Sequence, residues 1–203
     1  MFKKTLLAAV VVGFSALAGM AQAAQPNGYL FVSAGQSDAD ISKQELDNFW
    51  GVTPGLGVSS SLDNKDTAFK IGAGIQLNPY VAIEFQYLDL GTAEYKASNA
   101  FAEAKTTAQT DGLGINAVGT IGFDRLSLFG KVGYHQLKTE VKNSSTFLVN
   151  GSDSEKENVM SLGLGAAFAL NESFSLVAEY ERYQDVADEY DVDMLSAGMR
   201  YNF

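Results

Sequence analysis

The chain has 203 residues, enough for one sizeable domain, and a formal net charge of −10 at pH 7. The excess of 24 acidic over 14 basic residues argues against a nucleic-acid binder, because phosphate backbones attract cationic surfaces. The sequence has no cysteine and a single histidine, His135, which excludes disulfides, thiolate metal sites and histidine-rich sites.

The first 23 residues have the pattern of a secretory signal. Lys3 and Lys4 supply a positive start, an apolar run follows, and residues 21–23 (AQA) match a small-x-small cleavage site. The run is short for a membrane-spanning helix. We predict a signal peptide at residues 1–23 and one folded domain at residues 24–203, with a retained N-terminal anchor as the alternative. Export without cysteine is typical of a Gram-negative envelope protein.

Apolar and polar side chains alternate after the signal, which is the pattern of β-strands. In the segment YVAIEFQYLDL, Val81, Ile83 and Phe85 alternate with Ala82 and Glu84. The alternation lasts about ten residues per segment, longer than a typical soluble strand. Eight segments show it: residues 28–37, 66–77, 80–90, 109–122, 125–138, 157–169, 173–184 and 191–203.

The connections between these segments alternate between short and long. Tight turns are predicted at residues 78–79, 122–125 and 171–173, and long loops at residues 38–65, 91–108, 139–156 and 185–190. An even number of such strands, with short turns at one end, is typical of an outer-membrane barrel. A soluble sandwich would alternate similarly, but its solvated face would carry more charges. We predict the all-β class and an eight-stranded antiparallel up-and-down transmembrane β-barrel, integral to the Gram-negative outer membrane.

Aromatic side chains recur on the predicted apolar face at two heights. Aromatic girdles at both membrane interfaces are typical of such barrels. The predicted girdle residues are Tyr87, Phe123, Tyr134, Phe174, Tyr180, Tyr201 and Phe203.

Three segments resemble the transmembrane domain of outer membrane protein A and related small eight-stranded barrels: KDTAFKIGAGIQLNPYVAIEFQYLDLG, LSLFGKVGYHQLKTE and MLSAGMRYNF. In that family an alternating C-terminal strand ending in phenylalanine is recognised by the barrel-assembly machinery. The resemblance therefore implies an assembly signal at Tyr201 and Phe203. It also implies that Glu84 and Glu179 are lumenal acids.

A set of charged residues falls on the predicted inner face and forms a candidate lumen charge network: Lys70, Glu84, Lys131, Glu179 and Arg200. Lys70 and Glu84 lie on hairpin partners, close enough in register to pair. Glu179 and Arg200 lie on neighbouring strands. An eight-stranded barrel is only wide enough for its side chains to fill it, so these charges must pair or meet water. The set is either structural filling of the lumen or an electrostatic gate.

His135 is the residue on which the hypothesis of a lipid-modifying enzyme depends. Some eight-stranded outer-membrane barrels modify lipids with a serine, a histidine and an acid. A nucleophile needs a base within hydrogen-bond reach and a third group that orients it. No paired His-x-Ser pattern follows His135, so we predict no enzyme and no catalytic residue. The glycine patterns GAGIQ, GLGIN and GLGAA lack a dinucleotide fingerprint and indicate lumen-facing strand positions.

The first long loop contains ISKQELDNFW. Ser42 and Glu45 have capping-box spacing, and the corresponding helix would have an apolar side formed by Ile41, Leu46, Phe49 and Trp50. Either a short helix lies on the barrel rim, or the segment is an ordered loop with its own small cluster.

The loops are rich in aspartate and glutamate. Acidic residues crowd the first and last loops: Asp38, Asp40, Glu45, Asp47, Asp63, Asp66, Asp185, Asp188, Glu189, Asp191 and Asp193. Oxygen clusters favour Ca²⁺ or Mg²⁺, but none of these has EF-hand spacing. We predict a solvated acidic rim, no metal site and no cofactor.

These features predict an outer-membrane barrel with a structural or surface-interaction role: envelope integrity and loop-mediated contacts, with a lumen occluded by charged side chains. A small, low-conductance, porin-like channel is the alternative. The expected partners are outer-membrane lipid, lipopolysaccharide and, during biogenesis, the barrel-assembly machinery. No nucleic acid is expected, and the sequence identifies no extracellular partner.

Overall fold

A computed structural model describes residues 28–52, 57–99, 103–145, 151–187 and 190–203. The predicted signal peptide at residues 1–23 lies outside these ranges. The described residues form nine strands and one helix, in this chain order: β1 (Gly28–Ala39), α1 (Lys43–Phe49), β2 (Ser59–Asp63), β3 (Lys65–Asn78), β4 (Val81–Ser98), β5 (Glu103–Phe123), β6 (Leu126–Ser145), β7 (Gly151–Ala169), β8 (Phe174–Val186) and β9 (Tyr190–Asn202).

The strands close into a ring. β1 pairs antiparallel with both β3 and β9, and each strand from β3 to β8 pairs antiparallel with the next. The short β2 pairs with β4 beyond the end of β3, so β2 and β3 together occupy one of the eight strand positions in the ring. Closure removes the unpaired edges of a sheet. The predicted eight-stranded antiparallel up-and-down barrel is therefore confirmed.

One end of the barrel, which we call the lower end, has the tight turns. The Asn78 side chain accepts hydrogen bonds from the backbone amides of Tyr80 (2.8 Å) and Val81 (3.0 Å). The Asn171 side chain does the same for Ser173 and Phe174. Asparagine favours such turns because its side chain mimics a backbone acceptor. The longer connections lie at the opposite, upper end, which is extracellular in barrels of this kind.

The strands at the upper end are longer than the sequence predicts. β4 continues to Ser98, β5 begins at Glu103, β6 continues to Ser145 and β7 begins at Gly151. The predicted long loops at residues 91–108 and 139–156 are therefore mostly wrong. The apolar alternation stops where polar and small residues begin to occupy both faces, yet backbone pairing continues because it does not depend on side-chain polarity.

An apolar band surrounds the lower part of the outer wall. On β5 it spans eleven residues, Leu113 through Phe123, which suits a transmembrane strand. Other large apolar side chains exposed in this band include Val32, Ile75, Phe85, Ile115, Leu128, Val132, Leu162, Leu164, Leu176, Leu195 and Met199. Above the band, β5 extends a further ten residues, from Glu103 to Gly112.

Within the described residues, no helix is both long and apolar enough to cross a membrane.

The first long connection contains the helix α1. The Ser42 side chain caps its N-terminus by accepting a hydrogen bond from the Glu45 amide at 3.4 Å. Of the two readings of this segment, the capped helix is therefore correct, and the ordered loop is wrong. A seven-residue helix is marginal alone, so contacts with the barrel rim must hold it in place.

Two apolar clusters occupy the barrel interior at different heights. The lower cluster comprises Tyr29, Phe31, Ala82, Val118, Phe129, Ala167 and Val177. The upper cluster comprises Ala39, Ala68, Leu88, Leu90, Leu137, Val159, Tyr183, Val186, Val192 and Met194. Inward-facing glycines make room for large side chains: a Cβ at Gly74 would lie 2.2 Å from the Tyr29 ring, and one at Gly165 would lie 2.3 Å from the Phe129 ring. The lumen is thus packed like a core rather than left open.

Candidate functional site

A layer of charged side chains lies between the two apolar clusters. On β8, for example, Glu179 and Glu181 lie between Val177 of the lower cluster and Tyr183 of the upper cluster. The side chains in this layer are at most 12% exposed. We call this set the charged layer: Lys70, Glu84, Lys131, Glu179, Glu181 and Arg200.

The two lysines connect the carboxylates into a chain of ion pairs. Lys70 Nζ lies 3.0 Å from Glu179 Oε1 and 2.8 Å from Glu181 Oε2. Lys131 Nζ lies 2.9 Å from the same Glu179 oxygen and 2.8 Å from Glu84 Oε2. Since each ammonium group meets two carboxylates, both lysines bridge strands across the lumen.

Arg200 and Tyr29 complete the surroundings of Glu84. Arg200 Nη2 lies 3.5 Å from Glu84 Oε1, and the Tyr29 hydroxyl donates a 2.7 Å hydrogen bond to the same oxygen. The Arg200 guanidinium also lies 4.1 Å from the centre of the Tyr29 ring, within cation–π range. The charged layer therefore holds three cations and three carboxylates, and it rests on aromatic rings of the lower cluster.

The pairing differs from the one predicted from sequence. The expected Lys70–Glu84 pair is wrong, because the β3–β4 register places Lys70 opposite Leu88 and Glu84 opposite Gly74. Glu179 and Arg200 do lie on neighbouring strands, β8 and β9, but Arg200 lies opposite Ser175 and its carboxylate partner is Glu84.

Sequence reasoning missed two members of this site. Glu181 lies two residues after Glu179 and thus on the same inward face, so the period-two pattern already contained the signal. Tyr29 lies on the inward face of β1, where the first segment's mixed apolar faces concealed its direction.

His135 lies in the same part of the lumen and is fully buried. Its Nε2 atom lies 2.9 Å from Gln86 Nε2, and its ring packs edge-on against the Tyr183 ring at 5.2 Å. The neighbouring hydroxyl of Ser161 donates to Glu181 at 2.7 Å. The Ser161 proton is therefore directed to a carboxylate and not to the imidazole, which is not the arrangement of a serine–histidine relay.

The predicted girdle residues lie on the outer wall at two heights. Phe174 and Tyr201 are strand partners near the lower end, with ring centres 5.1 Å apart, and Phe203 follows at 6.3 Å from Tyr201. Phe123 is also exposed at this end. The remaining three lie higher: Tyr87, Tyr134 and Tyr180.

The acidic residues of the upper end are engaged in local contacts. Asp38 pairs with Lys65 at 3.0 Å, and Asp193 accepts two hydrogen bonds from the Arg182 guanidinium at 2.6 and 2.7 Å. Asp188 and Glu189 lie outside the described residues. In the part of the chain that the structure describes, no group of three or more histidines and carboxylates could hold a metal ion.

Comparisons with known proteins agree with this architecture. The sequence matches the outer membrane protein beta-barrel domain family over residues 6–203. No curated protein sequence matches the chain.

Solved structures are also similar to it, among them the following two. One is Ail, the attachment invasion locus protein of Yersinia pestis, in complex with the heparin analogue sucrose octasulfate: TM-score 0.53, 18% identity, covering 87% of this chain and 99% of Ail. The other is Neisserial surface protein A (NspA): TM-score 0.53, 17% identity, covering 87% of this chain and 97% of NspA. At this identity the likeness shows the fold alone. Because the family match spans nearly the whole sequence, the chain belongs to the outer membrane protein β-barrel domain family and is an integral protein of the Gram-negative outer membrane.

Proposed function

We propose that this protein is a non-conducting barrel with a structural and surface-interaction role in the outer membrane. The layered lumen is the observation that carries the proposal. Along β4 the inward side chains pass from Ala82 in the lower cluster through Glu84 to Leu88 in the upper cluster. Apolar constrictions oppose ion passage because they dewet, and here one lies on each side of the charged layer.

The charged layer itself is proposed to be structural filling rather than a gate. Its three cations and three carboxylates balance, and the Lys70 and Glu181 side chains have no solvent exposure. A buried charge without a partner costs several kcal/mol, so a narrow barrel that encloses polar residues needs such balance. This charge-balanced arrangement supports a constitutive role in holding the strands together.

The upper end is proposed to supply the surface contacts. β5 and β6 continue above the apolar band, so about 33 Å of strand on β5 extends beyond Leu113. Ail was solved in complex with the heparin analogue sucrose octasulfate. The present chain has a net charge of −10 and an acidic upper end, which would repel such a polyanion. We therefore propose that contacts made by this protein are with neutral or cationic partners.

Two further roles are proposed for the outer wall. The girdle residues would anchor the barrel at the two interfaces with lipid and lipopolysaccharide, because aromatic rings suit the boundary between water and hydrocarbon. Tyr201 and Phe203 would be the signal for the barrel-assembly machinery, which is supported by their outward position on the last strand.

A non-enzymatic role is part of the proposal. A barrel fold by itself does not settle enzymatic activity, since one fold hosts many functions. Two contacts support the absence of a serine–histidine relay. His135 Nε2 lies beside the Gln86 amide, and the Ser161 hydroxyl donates its hydrogen bond to Glu181 rather than to the imidazole.

Planar-bilayer recording tests the proposal against the porin-like alternative. The wild-type protein and its Arg200→Ala and Glu179→Ala variants should all remain electrically silent, because apolar clusters lie on both sides of the layer they alter. Protease protection of the inserted barrel would verify insertion. Discrete current steps from wild type that change in either variant would establish a channel and overturn the proposal.

A further inference from the structure

A cavity of about 620 Å³ lies at the extracellular end of the barrel, above the upper cluster. Ile41 and Tyr190 line it and also pack against the upper cluster, so that cluster forms its floor. The cavity is therefore a dead-end vestibule and not part of a passage through the barrel. The described residues lining this vestibule include Leu46 and Phe49 of α1, its C-cap Trp50, and Ala93, Ala108 and Val141 of the barrel wall.

Three neighbouring strands form one wall of the vestibule. Ala93 on β4 pairs with Ala108 on β5, which pairs with Val141 on β6, and all three side chains line the cavity. Farther down the same strands, Leu90 and Leu137 fill the interior. The change from leucine to alanine and valine is what leaves the upper lumen hollow.

The helix α1 also lines the vestibule. Leu46, Phe49 and Trp50 line the cavity, and the Phe49 and Trp50 rings meet edge to face at 5.5 Å. The Tyr95 hydroxyl fixes the helix to the wall by donating a 2.7 Å hydrogen bond to Asp47. Two large aromatic side chains, one of them 78% exposed at Phe49, thus lie at a water-accessible apolar surface.

The charge of the vestibule limits what can bind. Among the lining residues that the structure describes, Glu45 is the one carboxylic acid, and none is a lysine or an arginine. On α1, the charge of Lys43 is balanced by its ion pair with Asp47 at 2.7 Å. A carboxylate or phosphate head group would meet only negative charge here, whereas a neutral or cationic group would not be repelled.

We propose that the vestibule is a binding site for a small amphiphile that has an apolar tail and a neutral or cationic head group. The volume lies within the range of ordinary small-molecule sites, about 300–1,000 Å³. The tail would lie against Leu46, Ala108 and Val141, with the head group near Glu45. The walls separate the site from the bilayer, so the ligand would enter from the extracellular medium. This inference goes beyond the proposed function, because a silent barrel does not require a ligand.

Trp50 is the single tryptophan of the chain and reports directly on the site. The protein, purified from outer membranes into nanodiscs of zwitterionic lipid, is titrated with octyltrimethylammonium, octanol or octanoate below micellar concentrations. Trp50 fluorescence and calorimetry should show saturable binding of the first two. Octanoate should bind about tenfold more weakly, or not at all, because of its charge.

Matched variants separate site binding from partition into lipid. Ala108→Phe fills the vestibule and should weaken octyltrimethylammonium binding by about tenfold or more. Thr107→Phe, on the opposite face of the same strand, should bind like wild type. Glu45→Gln, which leaves the wall unchanged, should reduce the preference for the cation over octanoate even if Ala108→Phe fails to fold.

Three results would overturn the inference: no saturable change in wild type, equal binding by Ala108→Phe and Thr107→Phe when both are folded, or octanoate binding as tight as the cation. Conductance recording on the same preparations tests the proposed function independently of ligand binding. Current steps with intact octyl-cation binding would contradict only the proposed function, and silence without binding would contradict only this inference.

Discussion

The lower and upper halves of the barrel share the same strands but differ in how their lumen is filled. The lumen is packed up to and including the upper cluster, and it is hollow above that cluster. In the lower half, the lumen is packed with two apolar clusters and a balanced charged layer, and its outer wall is apolar. In the upper half, the lumen contains an apolar cavity of about 620 Å³ and the outer wall is polar. The surroundings explain the difference between the two outer walls. In the membrane, lipid requires an apolar exterior, so polar residues lie inside the barrel. Above the membrane, water lies on both sides of the wall, and polar residues are tolerated on either face.

The contrast separates two roles within one continuous sheet. Membrane anchoring and closure belong to the lower half, where side chains from all parts of the ring meet across the lumen. Contact with other molecules belongs to the upper half, where the same strands support α1 and the vestibule. Each of the following changes compares one half with the other.

Removing a cation from the charged layer should have the largest effect. Lys131→Met leaves Glu84 and Glu179 without their shared partner and should lower the free energy of unfolding by about 3–5 kcal/mol, the usual result of breaking a buried ion pair. Equilibrium urea unfolding in lipid vesicles measures it. The double variant Lys131→Met with Glu84→Gln restores charge balance and should recover much of the loss, and Lys142→Met in the upper half should have little effect. Equal stability of all three variants would contradict the account.

A charge on the outer wall should distinguish lipid from water. Leu164→Arg places a guanidinium in the middle of the apolar band on β7 and should cost about 2–4 kcal/mol of folding free energy. Ser154→Arg, on the same face of the same strand in the upper half, should cost less than about 1 kcal/mol. The same unfolding measurement applies. A large cost for Ser154→Arg would mean that the membrane extends higher than the apolar band indicates.

Added volume should be harmful in the lower lumen and tolerated in the upper one. A Cβ at Gly114 would lie 1.8 Å from the His135 ring, so Gly114→Ala should destabilise the barrel by about 1–3 kcal/mol through overpacking. Ala108→Val, six residues away on the same face of β5, projects into the vestibule and should be within about 0.5 kcal/mol of wild type. The reverse order of effects would show that the upper lumen is the packed one.

The position of α1 should depend weakly on pH. A hydrogen bond from Lys43 lowers the pKa of Asp47 to about 2 from its ordinary 3.8, while burial raises the pKa of Tyr95 to about 12. Since the Asp47 pKa is depressed by folding, its stabilising contribution is present above about pH 4 and is lost as the pH falls through about 2. Trp50 fluorescence should therefore change below about pH 4 and not between about pH 4 and 7. Asp47→Asn should remove that change, and an identical profile in Asp47→Asn would assign it to another carboxylate.

The lower half is predictable from the sequence because its pattern has a physical cause. Lipid outside and polar groups inside impose period two, and this period alone is enough to place Lys70, Lys131 and Arg200 on the inner face. Their partners cannot be derived in the same way. Lys70 on β3 meets Glu181 on β8, and such contacts across the lumen depend on strand offset rather than on neighbours in the sequence.

The upper half is harder to predict because its strands lack the pattern. Lys105 and Thr106 point to opposite faces of β5, and both are polar and partly exposed. Their polarity therefore does not distinguish a paired strand from a loop. The helix α1 is an exception, since Ser42 and Glu45 carry a local capping signal that does not depend on the membrane. The vestibule is not predictable, because it arises from the register that brings Ala93 beside Ala108.

Cysteine accessibility tests the contrast between the two halves most directly. The chain has no cysteine, so single substitutions carry the only thiol. Ala108→Cys and Val118→Cys lie on the inner face of the same strand, one in the vestibule and one in the lower cluster. In nanodiscs, where both ends of the barrel meet water, a charged maleimide should modify Ala108→Cys readily and Val118→Cys about a hundredfold more slowly, since access to a packed lumen requires local opening. Equal rates at the two positions would show that water fills the lower lumen and would contradict a sealed barrel.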